Sequence, residues 1–200
     1  MNKTNFRKNH SNFEKQIDWY GKFLDRYLYK LLQAEQCELL EAFVLKIAVK
    51  WEVLVIQDII TSLNHDSIKY SKEIGLKLRK HLTKDESEAI LIGHRYIDFK
   101  SVDDVKKFAK RHLSDKFDPF KLIDNASAKK INHFFAIRNY LAHYSSYSKR
   151  KYRTVLINDY NLRRVCEPGA FLLKIDKETK LYRWVDFIKT FLSISRLMRG

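Results

Sequence analysis

The stretch Cys37-Glu-Leu-Leu-Glu-Ala-Phe-Val-Leu-Lys-Ile-Ala-Val-Lys-Trp-Glu-Val-Leu-Val-Ile-Gln-Asp-Ile-Ile-Thr-Ser-Leu63 decides the fold, because it holds neither Gly nor Pro and keeps a helical rhythm throughout. At about 100° per residue, Leu40, Phe43, Val44, Ile47, Trp51, Leu54 and Val55 cover one face. Leu45, Val49, Val53, Ile56 and Ile60 cover a second, and only a narrow strip with Lys46, Lys50 and Gln57 is clearly wet. A helix apolar on two sides is buried between the layers of a bundle or between subunits. It is not a membrane span, since Lys46, Lys50, Glu52 and Asp58 interrupt its most apolar part, residues 42–60.

Helical patterns flank it on both sides. Residues 11–33 place Phe13, Ile17, Tyr20, Phe23, Leu24, Tyr27, Leu28, Leu31 and Leu32 at i, i+3, i+4 spacing, and residues 67–82 read as a third, more polar helix. Ser101-Val-Asp-Asp opens a fourth that runs to Leu113, with a serine cap and acids in its first turn. After the turn at Asp118-Pro119, a fifth starts near Asp124 and carries Ile131, Phe134, Phe135, Leu141 and Ala142. Residues 154–157 and 171–182 look strand-like, the latter a hairpin turning at Asp176-Lys-Glu-Thr, and Val185 to Met198 closes the chain as a helix. The expected architecture is mainly α: one domain over residues 1–200, with a helical core over 11–155. Residues 156–200 form a C-terminal extension holding the small β-hairpin.

Composition agrees. With 45% hydrophobic and 14% aromatic residues the chain can bury a full core, and 5 Gly and 2 Pro in 200 residues exclude collagenous and low-complexity classes. A net charge of +15 turns the protein toward polyanions, namely nucleic acid, an acidic partner or an anionic membrane surface. Cys37 and Cys166 stand far apart with no paired His spacing, so neither a structural zinc site nor a disulfide framework is indicated, and no cofactor or metal is expected. The opening MNKTNFRKNHSNFEK is charged with no apolar segment after it, which does not suit a secretory signal. A soluble protein of the cytoplasm is the expectation.

The chemistry concentrates in Ile137-Arg138-Asn139-Tyr140-Leu141-Ala142-His143-Tyr144. Arg138 falls inside the apolar stripe of the fifth helix, and a desolvated guanidinium without a partner costs several kcal/mol. Either a carboxylate waits opposite, or the stripe faces a polar cleft. Glu41 and Glu52, at the seam between the two apolar faces of the second helix, are the candidate partners, with Glu52 preferred. Asn139 and His143 are i and i+4 on the flank of that stripe, whereas His133 falls off it and is expected to be exposed. An imidazole relays protons near neutral pH and a guanidinium clamps a phosphoryl group. Together they suffice for RNA cleavage without a metal, the RNA supplying its own 2′-OH as nucleophile. The Arg-x4-His spacing alone is a weak signal.

The surrounding residues strengthen it. Arg138, Asn139, Leu141, Ala142 and His143 resemble the signature of the HEPN superfamily: Arg, a polar residue, then aliphatic-Ala-His. The Lys50-Trp51-Glu52 triplet, the Tyr96-Ile-Asp-Phe-Lys-Ser-Val-Asp-Asp run and the Pro119-Phe120 turn are similar to its RiboL-PSP-HEPN-like branch. The resemblance covers roughly residues 35–155. It implies a helical bundle that pairs as a homodimer, bringing two motifs into one basic cleft, and a metal-independent endoribonuclease, commonly a toxin or abortive-infection effector with an antitoxin protein. By position it makes Arg138 the phosphate clamp, Asn139 an orienting group and His143 the acid/base. Ser145 stands where members regulated by AMP transfer carry a tyrosine, so that mode of control is not implied.

Beyond the motif, Lys149, Arg150, Lys151 and Arg153 interleave with Tyr147 and Tyr152, and Arg163-Arg164 follows. Such a run is either a solvated loop or an RNA-backbone track, with Tyr147 or Tyr144 stacking on bases. The competing readings are a HEPN-like module that binds RNA or protein without cutting, and a purely structural helical protein whose basic face meets an acidic partner.

Overall fold

The computed structural model describes residues 4–93, 99 and 101–199. Among them it is mainly α-helical: α1 (Phe6–Tyr27), α2 (Gln33–His65), α3 (Ile68–Ile74), α4 (Lys84–Gly93), α5 (Val102–His112), α6 (Asn125–His143), α7 (Ser146–Thr154), α8 (Pro168–Leu172) and α9 (Arg183–Met198). A single π turn, Val155–Asp159, prolongs α7. No helix among the described residues is long and apolar enough to cross a membrane. The Tyr96–Asp104 run is described only in part, with Tyr96, Ile97, Asp98 and Lys100 outside the described residues.

The chain divides into two compact units, with boundaries inside α1, α2, α6 and α9. The first comprises residues 1–13, 51–128 and 194–200. Its apolar interior gathers Trp51, Leu54, Val55, Ile59, Leu63, Val105, Ala109, Phe120 and Ile194. Polar side chains on α2 satisfy backbone groups of the loops around it: Asn64 accepts from the Thr4 N–H (3.1 Å) and donates to Leu82 O (2.5 Å), and the Ser62 hydroxyl donates to Phe117 O (2.6 Å). At its centre His10 lies with Nε2 2.8 Å from Asp58 Oδ2 and Nδ1 2.9 Å from Ser195 Oγ, all three residues 0% exposed.

Local sequence explains the helix ends in this unit. Ser101 caps α5 by accepting from the Asp104 N–H at 3.2 Å. The expected helix over residues 67–82 stops at Ile74, because Gly75 adopts φ +69, a left-handed turn that glycine takes without a Cβ clash. The chain then re-enters a helix at α4, whose start is a reciprocal cap: the Glu86 N–H donates to Thr83 Oγ1 (3.1 Å), and the Thr83 N–H donates to the Glu86 carboxylate (2.8 Å).

The second unit comprises residues 14–50 and 129–193. Phe134 of α6 meets Phe187 and Phe191 of α9 edge-on, at ring-centroid distances of 5.4 and 4.9 Å. α7 and its π turn run back along α6: Tyr152 stacks on Tyr140 at 5.2 Å, and further on Tyr160 meets the His133 ring edge-on at 5.4 Å. Arg183, 4% exposed, lies over the rings of Phe171 (4.2 Å) and Tyr160 (4.8 Å). Burial pushes the Tyr152 and Tyr160 hydroxyls far above the ordinary tyrosine range.

The strand-like segments are corrected. Residues 154–157 continue the helical path of α7 into the π turn, and 168–172 form α8, which starts on Pro168. What remains of the hairpin is one bridge between Ile175 and Tyr182, closed by the Asp176 carboxylate accepting from the Glu178 and Thr179 N–H groups. β-Branched residues lower helix propensity only slightly, so a helix entering from Ser146 carries through Thr154, Val155 and Ile157.

α8 seats directly on α2. A Cβ on Gly169 would stand 2.5 Å from Cys37 Cα and 2.7 Å from Cys37 O, backbone atoms that cannot swing away. Gly169→Ala is therefore expected to lower Tm by about 5 °C through about 1–3 kcal/mol of overpacking. A melt unchanged from wild type would show that α8 is free to move off α2.

The second apolar face of α2 is only partly covered. Ile60 is buried and Ile56 half-buried, but Leu45, Val49 and Val53 stay 37%, 50% and 46% exposed.

Candidate functional site

The motif lies wholly in the second unit, on the last two turns of α6. Ile137 (0%), Tyr140 (7%) and Leu141 (8%) are buried and fix the rotation of the helix. That rotation leaves Arg138 and Asn139 half-buried and Ala142 and His143 exposed. The stripe expected to bury Ala142 thus ends at Leu141, because the helix itself stops two residues on. Arg138 Nη1 donates to Asn139 Oδ1 at 2.9 Å, so neighbours in sequence are also partners in space. That bond orients the guanidinium from its own helix.

His143 is the last residue of α6. Five positions from Arg138, it is displaced by about 140° around the axis and about 7.5 Å along it. One helix therefore presents Arg138 and His143 on different sides. Tyr144, directly after, has φ +45, a left-handed conformation uncommon for a bulky residue, and its N–H donates to Tyr140 O at 3.0 Å. This strained residue turns the chain sharply at the imidazole. Tyr144 itself is 68% exposed.

The basic run is an ordered helix rather than a loop. Ser145 caps α7 by accepting from the Ser148 N–H (3.1 Å), and Ser148 and Tyr152, one turn apart, are its buried residues. Lys149, Arg150, Lys151 and Arg153 are all exposed, as are Arg163 and Arg164. Lys151 Nζ lies 5.0 Å from the ring centroid of Tyr147, which is 62% exposed. The expected contact surface, Tyr147 and four cations, thus stands on a rigid element that starts at the turn after His143.

The two carboxylates considered for Arg138 belong to different units. Glu41, in the same unit, accepts from the Gly169 N–H at 2.8 Å and so is engaged at the start of α8. Burial raises its carboxyl above the usual range, opposed by that hydrogen bond. Glu52, half-buried, belongs to the first unit.

His133 corrects the expectation of an exposed ring. It is half-buried, with Nε2 3.2 Å from Asp159 Oδ2, while Lys129 Nζ holds the other carboxylate oxygen at 2.6 Å. Burial lowers its basicity, and the Asp159 charge opposes that. Sequence gave no warning of this contact, because the π turn rotates Asp159 toward α6 and no periodic pattern encodes such a turn. No protein-family model, no curated protein and no solved structure matches the chain.

Proposed function

We propose that this protein is a metal-independent endoribonuclease of the HEPN superfamily, acting in the cytoplasm as a homodimer, as a toxin or abortive-infection effector restrained by an antitoxin protein. The observation that carries the reading is the half-buried Arg138–Asn139 pair on the last turns of the helix that ends at an exposed His143, where the chain turns directly into a basic helix. Arg138 neutralises the scissile phosphate, and Asn139 holds the guanidinium in place for it. The imidazole of His143 removes the 2′-OH proton; O2′ bonds to phosphorus and the P–O5′ bond breaks. An imidazolium returns a proton to O5′, leaving a 2′,3′-cyclic phosphate and a 5′-OH. DNA lacks the hydroxyl and is spared.

The same geometry supports the homodimer reading. Because Arg138 and His143 point to different sides of one helix, the motif of a second copy completes a site that each copy leaves open. The exposed Leu45, Val49 and Val53 give α2 an apolar surface suited to a subunit contact. A non-catalytic module that binds RNA or a protein is the second reading, favoured by that same separation of the two groups within one chain. Digestion of labelled RNA by the purified protein in excess EDTA tests the first reading: fragments support it, and RNA that stays bound but intact supports the second.

The α7 cations are expected to supply phosphate contacts. Changing Lys149, Arg150, Lys151 and Arg153 together to alanine should weaken RNA binding at least about tenfold and flatten the log–log salt slope by about 2. All four are exposed, so the melting curve should not move. Unchanged affinity and slope, measured by fluorescence anisotropy across a salt series, would remove α7 from the interface.

A further inference from the structure

α1 carries a second basic and aromatic surface that the Arg138 motif does not use. Ile17 (0%), Leu24 (1%) and Leu28 (0%) fix its buried side. At about 100° per residue, the opposite crest carries Lys15, Trp19, Lys22 and Arg26, and Lys30 continues it in the 3-10 turn after α1. All five are exposed, Trp19 at 57%. The acids Glu14, Asp18 and Asp25 keep to one flank, where Asp18 pairs with Lys22 at 2.6 Å. On the other flank the Trp19 indole stacks on Phe23 (5.3 Å, 28°), which leans on Tyr27 (4.9 Å) and on Phe43 of α2 (5.7 Å). Arg26 and Lys30 lie 6.0 and 5.4 Å from the Tyr27 ring centroid.

An indole braced from beneath by a ring ladder and left open above, with cations before and after it, suits a flat π-face flanked by phosphates. We propose that this crest is a binding site for single-stranded RNA, in which a base stacks on Trp19 while Lys15, Lys22, Arg26 and Lys30 meet the phosphates on either side. Charge selects this occupant over a second copy: a two-fold contact centred on the crest sets Lys22 and Arg26 against their own images. Base pairing hides the π-faces, so duplex RNA is a poor ligand here. RNA is also the ligand proposed for the Arg138 site, but none of these residues belongs to it.

The other two tryptophans make the test direct. Trp51 and Trp184 are 3% and 6% exposed, so solvent-accessible tryptophan emission comes from Trp19. The His143→Ala chain, used so that no RNA is cut, is titrated with a short unstructured oligoadenylate, with the blunt duplex of that strand, and with heparin as a polyanion without bases. The expected result is quenching by the single strand alone, at a protein concentration where emission is otherwise constant. Trp19→Ala should weaken binding of a labelled oligonucleotide about tenfold with an unchanged Tm, and Trp19→Phe should recover part of the loss. Three outcomes overturn the proposal: RNA that binds by anisotropy without touching the emission, heparin that quenches as well as RNA, or no RNA binding. Quenching that grows with protein concentration in the absence of RNA also overturns it, in favour of self-association. None of these readings depends on cleavage, so an inactive protein that still shows quenching refutes the nuclease and leaves this site standing.

Discussion

Replacing His143 with alanine is expected to lower RNA cleavage about a thousandfold while RNA affinity stays within about threefold, since general acid–base catalysis is worth roughly that much and an exposed imidazole adds little binding. His143 ends α6, so its truncation leaves the buried Ile137, Tyr140 and Leu141 in place. A fall in cleavage with an unchanged melting curve would therefore report chemistry rather than folding. Arg138→Ala should behave differently. It removes the phosphate clamp and the 2.9 Å bond to Asn139, so both cleavage and affinity fall. An active Arg138→Ala enzyme would remove the site assignment, and equal cleavage by wild type and His143→Ala would remove the catalytic role of the imidazole.

Asp58→Ala is expected to be the most damaging single change to stability. Asp58 Oδ2 faces His10 Nε2 at 2.8 Å, and Oδ1 accepts from Asn9 Nδ2 at 3.2 Å, with Asp58 and His10 fully enclosed. Truncating the carboxylate strands a buried imidazole, at a cost of about 3–5 kcal/mol, which for a chain of this size lowers Tm by roughly 10 °C. Burial holds the Asp58 carboxyl above the usual range, with His10 pulling the other way. The folded state thus keeps that proton to a higher pH than the unfolded chain does. The resulting stabilisation is full below the unfolded carboxylate range and fades as pH rises through the raised value. A neutral isostere should accordingly be tolerated better, with Asp58→Asn losing less than half as much as Asp58→Ala. Equal losses in the two variants would show that the ionised carboxylate is what this interior requires.

The elements differ in how far their residues announced them. α2 and α6 were legible because each places apolar residues at helical spacing with no Gly or Pro to break it; α2 extends beyond the expected 37–63 to Gln33–His65. α4 carried its own signal in Thr83-Lys-Asp-Glu86, a capping box ahead of Ala89, Ile90 and Leu91, yet its short apolar run does not stand out by periodicity. The end of α3 at Gly75 needed only the glycine. Residues 154–157 misled because Val, Ile and Thr favour strands only where a partner strand exists, and here the chain arrives already helical, whereas the turn at Asp176-Lys-Glu-Thr stands where its residues put it, closed by the Ile175–Tyr182 bridge.

The candidate site divides in the same way. Residue types and spacing singled out Arg138, Asn139 and His143 and the cations after them, but not that Ser148 and Tyr152 bury one side of a helix carrying those cations. The bond between Arg138 and Asn139, the left-handed Tyr144 and the His133–Asp159 contact were not legible. Each depends on a rotamer, a strained dihedral or a π turn, none of which leaves a periodic trace. The crest of α1 was hidden for another reason: helical periodicity had assigned Phe23 and Tyr27 to a core, and the aromatic ladder that braces Trp19 appears only when exposure is known.

The most direct test of an Arg138/His143 ribonuclease is the chemistry of the RNA ends it leaves. Mixed RNA is incubated in EDTA with wild type and, in parallel, with His143→Ala, and the 3′ termini of the fragments are analysed by mass. Fragments ending in 2′,3′-cyclic phosphate, present with wild type and absent with the variant, are the expected result. Fragments with the same ends in both samples, or ends bearing a 3′-hydroxyl, would contradict it.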